Sequence, residues 1–235
     1  MAERFFSEEP IQTREVVLVG SEAHHLSHVM RAKRGDRVIV FDGSGAEFSA
    51  LVDRVERRDV KLAVVERHDI DRELSVSVTM GVALPKGERQ RWLVEKLVEL
   101  GVNRMVPLWT SRGVARATES TRDRLQRSVV EACKQCGRNR LMEISEPMEF
   151  DEFLAVAPLG ARRILAHPGG GSPWGRPESD GFYFAVGPEG GFSDAEVERA
   201  RQIGWQCQGL GSRILRVETA ALVLAARAAA ECDAG

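Results

Sequence analysis

The stretch that decides the fold runs from Phe182 to Glu196 and reads FYFAVGPEGGFSDAE. Its first five residues are apolar and largely aromatic, which is typical of a buried strand, and a glycine-rich turn follows them. Ser193 and Glu196 have the spacing of a capping box, which predicts that a helix begins at Ser193. Three glycines in five residues also let backbone groups approach a ligand where a Cβ would clash. A tight strand-to-helix turn without a ligand is equally compatible with this stretch.

A second glycine turn lies further along the chain, where Gly209–Ala220 reads GLGSRILRVETA before an alanine-rich stretch that predicts a helix to about Glu231. Arg213, Arg216 and Glu218 stand beside this turn at a strand end, where the folding pattern requires no charge. Ligands of open α/β sheets bind beyond the carboxyl ends of the strands. Two such segments at consecutive strand ends favour a shared pocket, although a helix-dipole role for Glu218 and surface ion pairs also explain the charges.

Strands and helices alternate around these two segments, from about Leu74 to the C-terminus. Strands are predicted at 76–84, 105–109, 163–166, 182–186 and 206–210, and helices at 88–100, capped by Gly101, and at 121–135. This alternation is typical of an α/β domain with a mostly parallel sheet. Residues 168–181, rich in glycine and proline, are expected to form an exposed loop.

The first seventy residues have a different pattern, with short β-branched strands at 15–19, 37–41, 47–52 and 60–65 and one helix at about 22–32. A small β-barrel is the natural closure of such a set, because it removes exposed strand edges. We therefore expect two domains, a β-barrel at 1–72 and an α/β domain at 73–235.

The composition is that of a globular protein, with 235 residues, 43% hydrophobic and 29% charged. The net charge of −2 argues at first sight against a polyanionic partner, but the total is a cancellation. Residues 1–72 carry −2, residues 73–147 carry +4 and residues 148–235 carry −4; residues 104–140 alone carry nine basic and three acidic side chains. A basic segment of this kind can attract a polyanion, although a solvated helix face would have the same charge.

Localisation and metal binding follow from what the chain contains. The polar start and the lack of an apolar run of about 18 residues predict no secretory leader and no membrane span. Four cysteines without disulfide-like spacing are typical of a reducing compartment, so we expect a cytoplasmic protein. Cys133-x-x-Cys136 and His24-His25-x-x-His28 have ligand-like spacing but lack supporting ligands, and we expect no metal.

Taken in order, the motifs resemble those of the ribosomal RNA small subunit methyltransferase E family of the SPOUT superfamily. Gly187–Ser193 and Leu210–Ala220 carry most of the similarity. It extends over nearly the whole chain through Arg4-Phe5-Phe6, His24–Arg31, Gly35-Asp36, Lys86-Gly87, Glu95-Lys96, Glu99–Val102, Glu131-Ala132 and Gln135–Arg138.

The resemblance implies an enzyme that uses S-adenosylmethionine to methylate N3 of one uracil in 16S small-subunit rRNA, either naked or in the assembled small ribosomal subunit. It also implies a PUA-like β-barrel, an α/β domain with a trefoil knot (the SPOUT fold), and a homodimer. The apolar run 220–230 fits a dimer face or a core helix equally well. Two alternatives stay open: a non-enzymatic RNA-binding ribosome-assembly factor, and a SPOUT methyltransferase acting on another RNA base.

The resemblance implies roles for individual residues. The S-adenosylmethionine pocket would be formed by His167, Gly187, Glu189, Gly190, Gly191, Leu210, Gly211, Ile214, Leu215 and Arg216. Arg216 would stabilise negative charge that develops on the uracil, and Glu218 would accept the N3 proton or orient the groups that react. RNA contacts are expected from Arg4, His24, His25, Arg31, Lys86, Arg112, Arg122, Arg138 and Arg140.

Overall fold

A computed structural model describes residues 3–114, 118–171 and 181–233 of the chain. The chain divides into two compact units, the first made of residues 1–73 and 133–141 and the second of residues 74–132 and 142–235. Each unit encloses an apolar core of its own, as domains do. Residues 172–180, most of the expected loop at 168–181, lie outside the described residues.

The first unit is built on a five-stranded sheet that curls as a half-barrel. Its strands are β1 (Arg4–Phe6), β2 (Glu15–Val19), β3 (Arg37–Phe41), β4 (Glu47–Val55) and β5 (Asp59–His68). They pair in the order β1-β3-β4-β5-β2, and every neighbouring pair is antiparallel except β1 with β3. Alternate residues such as Phe5, Leu18 and Leu62 point into the core, as the period of two predicts.

The helix of the first unit is shorter than the sequence predicts. It begins as α1 (Gly20–His24) and continues as a π-helical turn, His25–Val29, in which the Met30 N–H donates to the His25 carbonyl. Arg31 follows with φ of 54°, a left-handed conformation that ends the helix before the predicted residue 32.

Residues 133–141 join the first unit, although the sequence pattern predicts them in the second domain. The Gly45 N–H donates to the Asn139 carbonyl, and the Asn139 side-chain amide donates to the Ile70 carbonyl, at 3.2 Å in both cases. No shift in composition marks this short segment, because what fixes it to the sheet is hydrogen bonding between residues far apart in the chain.

The second unit is a parallel sheet with helices. The strands are β6 (Val78–Val82), β7 (Arg104–Trp109), β8 (Glu143–Ile144), β9 (Met148–Glu149), β10 (Arg162–Ala166), β11 (Phe182–Val186) and β12 (Gln206–Gln208). The helices are α2 (Arg89–Glu99), α3 (Glu119–Cys136), α4 (Phe150–Val156), α5 (Asp194–Gln202) and α6 (Val217–Asp233), and the last turn of α3, from Cys133 onward, belongs to the first unit. The strand order is β12-β10-β11-β6-β7-β8, β9 pairs with β7, and all of these pairs are parallel. The predicted fold class, an α/β domain after a small β unit, is confirmed.

The ends of two helices follow the sequence signals. The Ser193 side chain accepts from the Glu196 N–H and the Glu196 carboxylate accepts from the Ser193 N–H, so the predicted capping box is present at α5. Gly101, with φ of 79°, follows α2 as the predicted cap. Within the described residues no helix is long and apolar enough to cross a membrane.

Candidate functional site

Five loops of the second unit leave the same edge of the sheet, because they follow the carboxyl ends of parallel strands. They are the loops after β6, β7, β10, β11 and β12, at 83–88, 110–114, 167–171, 187–193 and 209–216. The chain connects β6 to β7 on one side of the sheet, and it connects β11 to β12 on the opposite side. The neighbours β6 and β11 therefore flank a topological switch point, where ligands of open α/β sheets bind.

The loop after β11 is fixed by its glycines. The Gly191 N–H donates to the Pro188 carbonyl at 2.8 Å and closes a turn in which Gly191 has φ of 68°. A Cβ on Gly187 would lie 3.1 Å from the ring and the backbone nitrogen of Phe192, which is tighter than ordinary contact. Glu189 and Gly190 are exposed at the tip. The turn thus presents backbone rather than side chains at its base.

The loops after β10 and β12 also meet through glycines. The Gly209 N–H donates to the Gly170 carbonyl at 2.8 Å, and a Cβ on Gly209 would lie 2.3 Å from that oxygen. A Cβ on Gly170 would lie 2.5 Å from the Cys207 backbone. His167, half-buried beside this contact, donates its N–H to the Gln208 carbonyl at 3.0 Å. Any other residue at Gly170 or Gly209 would push the two loops apart.

The loop before α6 has the most exposed residues of the candidate pocket. Gly211 and Arg216 are exposed, Leu210 and Leu215 are half-buried, and Ile214 is 92% exposed. Gly211 has φ of 118°, which only glycine adopts readily. Ile214 therefore presents an apolar side chain to solvent beside the candidate pocket.

A buried carboxylate lies at the start of α6. Glu218 is 6% exposed, and in the described part of the chain its Oε2 accepts no hydrogen bond. Arg89 is a neighbouring cation, and its Nη1 lies 3.6 Å from that oxygen. Arg89 also donates from Nη2 to Glu189 Oε1 at 3.0 Å. One guanidinium therefore connects the loop after β11 with the start of α6.

A second carboxylate, Glu196, ties the loop after β7 to the loop after β11. It accepts from the N–H and the hydroxyl of Ser111, both at 2.9 Å, and from the N–H and hydroxyl of Ser193 at 2.7 and 2.8 Å. Burial alone raises the pKa of Glu196, but these hydrogen bonds outweigh it and hold the pKa below its ordinary value. The Glu196 side chain is therefore an ionised clamp between the two loops.

Arg112 reinforces the same junction. Its Nη1 donates to the carbonyls of Gly190 and Phe192, at 3.0 and 3.3 Å. The expected RNA contact at Arg112 is thus also a support for the glycine loop. Of the other basic candidates in this unit, Lys86 is exposed beside β6, and Arg122 is ion-paired with Glu146.

The structure corrects two of the expected RNA contacts in the first unit. The Arg4 side chain is 9% exposed, pairs with Glu47 at 2.5 Å and donates to Asn139 Oδ1 at 2.6 Å. Arg138 is 4% exposed and binds Glu73 through both Nε and Nη2, at 3.0 and 2.5 Å. Both guanidiniums are held inside the unit, so neither faces a nucleic acid. A count of charges along the sequence cannot tell a buried cation from an exposed one.

The remaining candidates of the first unit are at least partly accessible. His24 is exposed and stacks on His28 with 4.6 Å between ring centroids, whereas His25 is half-buried against Phe5. Arg31 is exposed, and the exposed Arg140 guanidinium lies over Gly45.

Arg89, Ser111 and Glu196 join loops of the candidate site. The sequence has no distinct signal for Arg89 or Ser111, or for the contact of Glu196 with a second loop. Arg89 lies only three residues after the candidate Lys86, at the first position of a helix, where it reads as an ordinary surface residue. The capping box identifies Glu196 but not its second partner. Contacts between loops after different strands depend on strand order, which no local pattern contains.

Comparison with known proteins agrees with this geometry. A model of the RNA methyltransferase domain family matches residues 72–229, and a model of the RNA methyltransferase PUA domain matches residues 18–65. The ribosomal RNA small subunit methyltransferase E of Bacillus subtilis (strain 168) is 31% identical over 221 residues, which cover 87% of this chain and 86% of that protein. The protein of the same description from Synechocystis sp. is 31% identical over 226 residues, 93% of this chain and 74% of that protein.

Solved structures agree over the whole length. Ribosomal RNA small subunit methyltransferase E from Neisseria gonorrhoeae, bound to S-adenosyl methionine, has a TM-score of 0.89 at 28% identity and covers 97% of this chain and 96% of its own. A methyltransferase from Legionella pneumophila with the bound cofactor SAM has a TM-score of 0.89 at 29% identity, covering 98% of both chains. With similarity of this extent in sequence and in structure, the chain belongs to the ribosomal RNA small subunit methyltransferase E family.

Proposed function

We propose that the chain uses S-adenosylmethionine to methylate N3 of one uracil in 16S small-subunit rRNA. The observation that carries the proposal is the meeting of three glycine loops and one buried carboxylate at a single edge of the parallel sheet. Relatives described as rRNA small subunit methyltransferases, and two related structures that hold the cofactor, support it. The choice of N3 rests on the family resemblance.

The residues present fit the cofactor. An adenosyl group needs a flat apolar slot with backbone donors and acceptors, and the glycines of the loops at 187–191 and 209–216 leave such backbone uncovered, with no atom within 4 Å of a Cβ position at Gly191 or Gly211. Leu210 and Leu215 supply half-buried apolar surface. Glu218 and Glu189 supply negative charge for a cationic ligand. The other residues that would hold it are His167, Gly187, Gly190, Gly191, Gly211, Ile214 and Arg216.

When bound, S-adenosylmethionine supplies a methyl group made electrophilic by a sulfonium. The remaining chemistry falls to the protein, because neutral uracil carries a proton on N3 that must leave. Glu218 is the candidate acceptor of that proton, since its Oε2 has a free lone pair in a buried site. Arg216, exposed one residue before α6, would donate to O2 or O4 and stabilise the negative charge that develops there.

Three further features belong to the proposal. RNA contacts are assigned to His24, His25, Arg31, Lys86, Arg112, Arg122 and Arg140. A homodimer would cover the exposed Ile214. Naked rRNA or the assembled small ribosomal subunit in the cytoplasm is the substrate that the family resemblance implies.

The proposal is tested with the purified chain and with cells that lack its gene. Calorimetric titration should show one S-adenosylmethionine site per chain, and rRNA from the deletion strain should lose its N3-methyluridine in mass spectrometry. Glu218→Gln and Arg216→Ala should each lower single-turnover methylation. Unchanged N3-methyluridine would refute the assignment, and absence of cofactor binding would favour an RNA-binding assembly factor.

A further inference from the structure

Basic side chains are concentrated at one end of the first unit and acidic side chains toward the other. The small net charge of the unit does not reveal this separation. Residues 31–37 and 53–61 contain eight basic and four acidic side chains, whereas the rest of residues 1–72 contains four basic and ten acidic ones. We call residues 31–37 and 53–61 the basic end of the first unit, and the rest its acidic end. The small negative total of residues 1–72 is therefore a cancellation of +4 against −6.

The strand register separates these two sets in space. Val55 pairs with Val60 at one end of the β4–β5 ladder, and Glu47 pairs with His68 at the other. Eight residues of strand separate Val55 from Glu47, which is about 26 Å at the usual rise. That distance is several times the Debye length of about 8 Å at physiological salt, so the two ends act independently on a charged partner.

Several carboxylates of the acidic end are ion-paired within the unit. Glu47 pairs with Arg4 and Arg72, and Glu73 pairs with Arg138. Glu22 pairs with Lys134 at 2.8 Å. Segment 133–141 thus supplies cations to the acidic end.

The basic end is exposed and only weakly paired. An open cleft there is lined by Ala32, Lys33, Arg34, Asp53, Arg54 and Val55. Arg34 meets Asp53 at 3.4 Å with side chains 82% and 53% exposed, and Arg54 meets Glu56 at 3.1 Å with side chains 70% and 35% exposed; such exposed pairs contribute little in water. Two backbone bonds between the turn 33–36 and the strand, from Gly35 N–H to the Val52 carbonyl and from Val52 N–H to the Asp36 carbonyl, hold the turn in place.

We propose that this cleft binds the sugar-phosphate backbone of single-stranded RNA, independently of its sequence; the proposal rests on the proposed function in taking RNA as the substrate class. Lys33, Arg34 and Arg54 would contact phosphates, and Arg31, Arg57 and Arg58 would add to the positive potential. Such contacts raise affinity and orient the strand without reading bases. The cleft is thus an RNA-docking surface on the first unit, distinct from the edge that carries the glycine loops.

The test is binding of labelled oligouridine, followed by fluorescence anisotropy across a salt series. In Lys33→Gln/Arg34→Gln the slope of log affinity against log salt should fall by about 1.4, which corresponds to about a 25-fold weaker affinity at 0.1 M salt when the two affinities are equal at about 1 M. The matched control is Arg14→Gln/Arg67→Gln, which removes the same charge from exposed positions outside the basic end. Its slope should equal that of the wild type.

Equal weakening by the two double variants, or no weakening by either, would overturn the proposal. Normal binding of oligouridine with weaker binding of the intact small subunit would also overturn it, because a protein would then be the partner. If the wild type binds oligouridine as expected but transfers no methyl group, the proposed function fails while the cleft remains. Arg57→Gln/Arg58→Gln repeats the test if the first variant does not fold.

Discussion

Arg89 joins the loop after β11 to the start of α6, through Glu189 and Glu218. We expect Arg89→Ala to lower both the affinity for S-adenosylmethionine and kcat, by about tenfold to a hundredfold, because small displacements of positioning groups have effects of that size. Arg89→Lys should recover only part of the loss, since an ammonium lacks the planar fork that spans two carboxylates. Calorimetry and steady-state rRNA methylation measure the two quantities.

Arg91→Ala is the matched control for Arg89, on the same helix. Arg91 is 61% exposed and pairs only locally with Glu95 at i,i+4. Its loss should leave cofactor affinity and kcat unchanged. If Arg89→Ala behaves like Arg91→Ala, with the same melting temperature and the same kinetics, then Arg89 has no positioning role.

At the residue scale, glycines were more predictable from the sequence than charges. A glycine such as Gly191 is required by backbone geometry that the local motif already specifies. The sequence around an arginine is the same whether its side chain faces solvent or a buried carboxylate. The carboxylate lies 43 residues away along the chain for Arg4 and 65 residues away for Arg138. Only tertiary structure distinguishes the two environments.

At the scale of elements, Glu196 connects α5, the loop after β11 and the loop after β7. Glu196→Ala should reduce stability by about 2–3 kcal/mol, because the N–H groups of Ser111 and Ser193 lose a charged acceptor. Urea unfolding at pH 7, followed by tryptophan fluorescence, measures this, since the described tryptophans, Trp92, Trp109 and Trp205, belong to the second unit. Glu198→Ala, an exposed change on the same helix, should cost less than about 0.5 kcal/mol. Equal effects of the two changes would contradict a clamp.

The same carboxylate predicts a pH dependence. Because folding lowers the pKa of Glu196 from its ordinary value of 4.5, its ionisation stabilises the folded state above that pH. The contribution is lost as the pH falls through the lower, folded pKa. The stability difference between the wild type and Glu196→Gln should therefore be constant from about pH 7 to pH 5 and shrink below about pH 4.5. A difference that is unchanged at low pH would show that the charge has no role.

Elements with a strong local pattern were predicted closely, and short ones were missed. Strands β2, β3 and β11 have the predicted bounds, and α5 begins with the predicted cap. The two-residue strands β8 and β9 and the helix α4 have no distinct period in the sequence. A two-residue strand is defined by its pairing with the neighbouring strand rather than by its own residues. The order in which the strands pair is likewise a tertiary property.

For the whole molecule, net charge was the least informative number. The total of −2 combines −2, +4 and −4 from successive segments, and the −2 of residues 1–72 itself combines +4 at the basic end with −6 in the rest. The net charge of a segment of 70 to 90 residues averages over such opposite charges. Charges summed by segment therefore identify the basic middle segment but not the basic end of the first unit. Strand register, which brings residues 31–37 beside residues 53–61, is what separates the charges.

We expect the stability of the proposed homodimer to depend on Ile214. Burying a side chain that is 92% exposed contributes about 1.5–3 kcal/mol, and a two-fold interface would bury it twice. Ile214→Glu should therefore raise the dimer dissociation constant at least about a hundredfold and lower methylation, because the same loop lines the proposed cofactor pocket.

Light scattering after size-exclusion chromatography at several concentrations measures the mass of each variant. Leu159→Glu is the matched control, since Leu159 is 86% exposed in the same unit but lies in the turn before β10. It should leave both mass and activity unchanged. A wild-type chain that is monomeric at every concentration, or an Ile214→Glu variant that keeps the wild-type mass, would show that this isoleucine does not lie in a subunit interface.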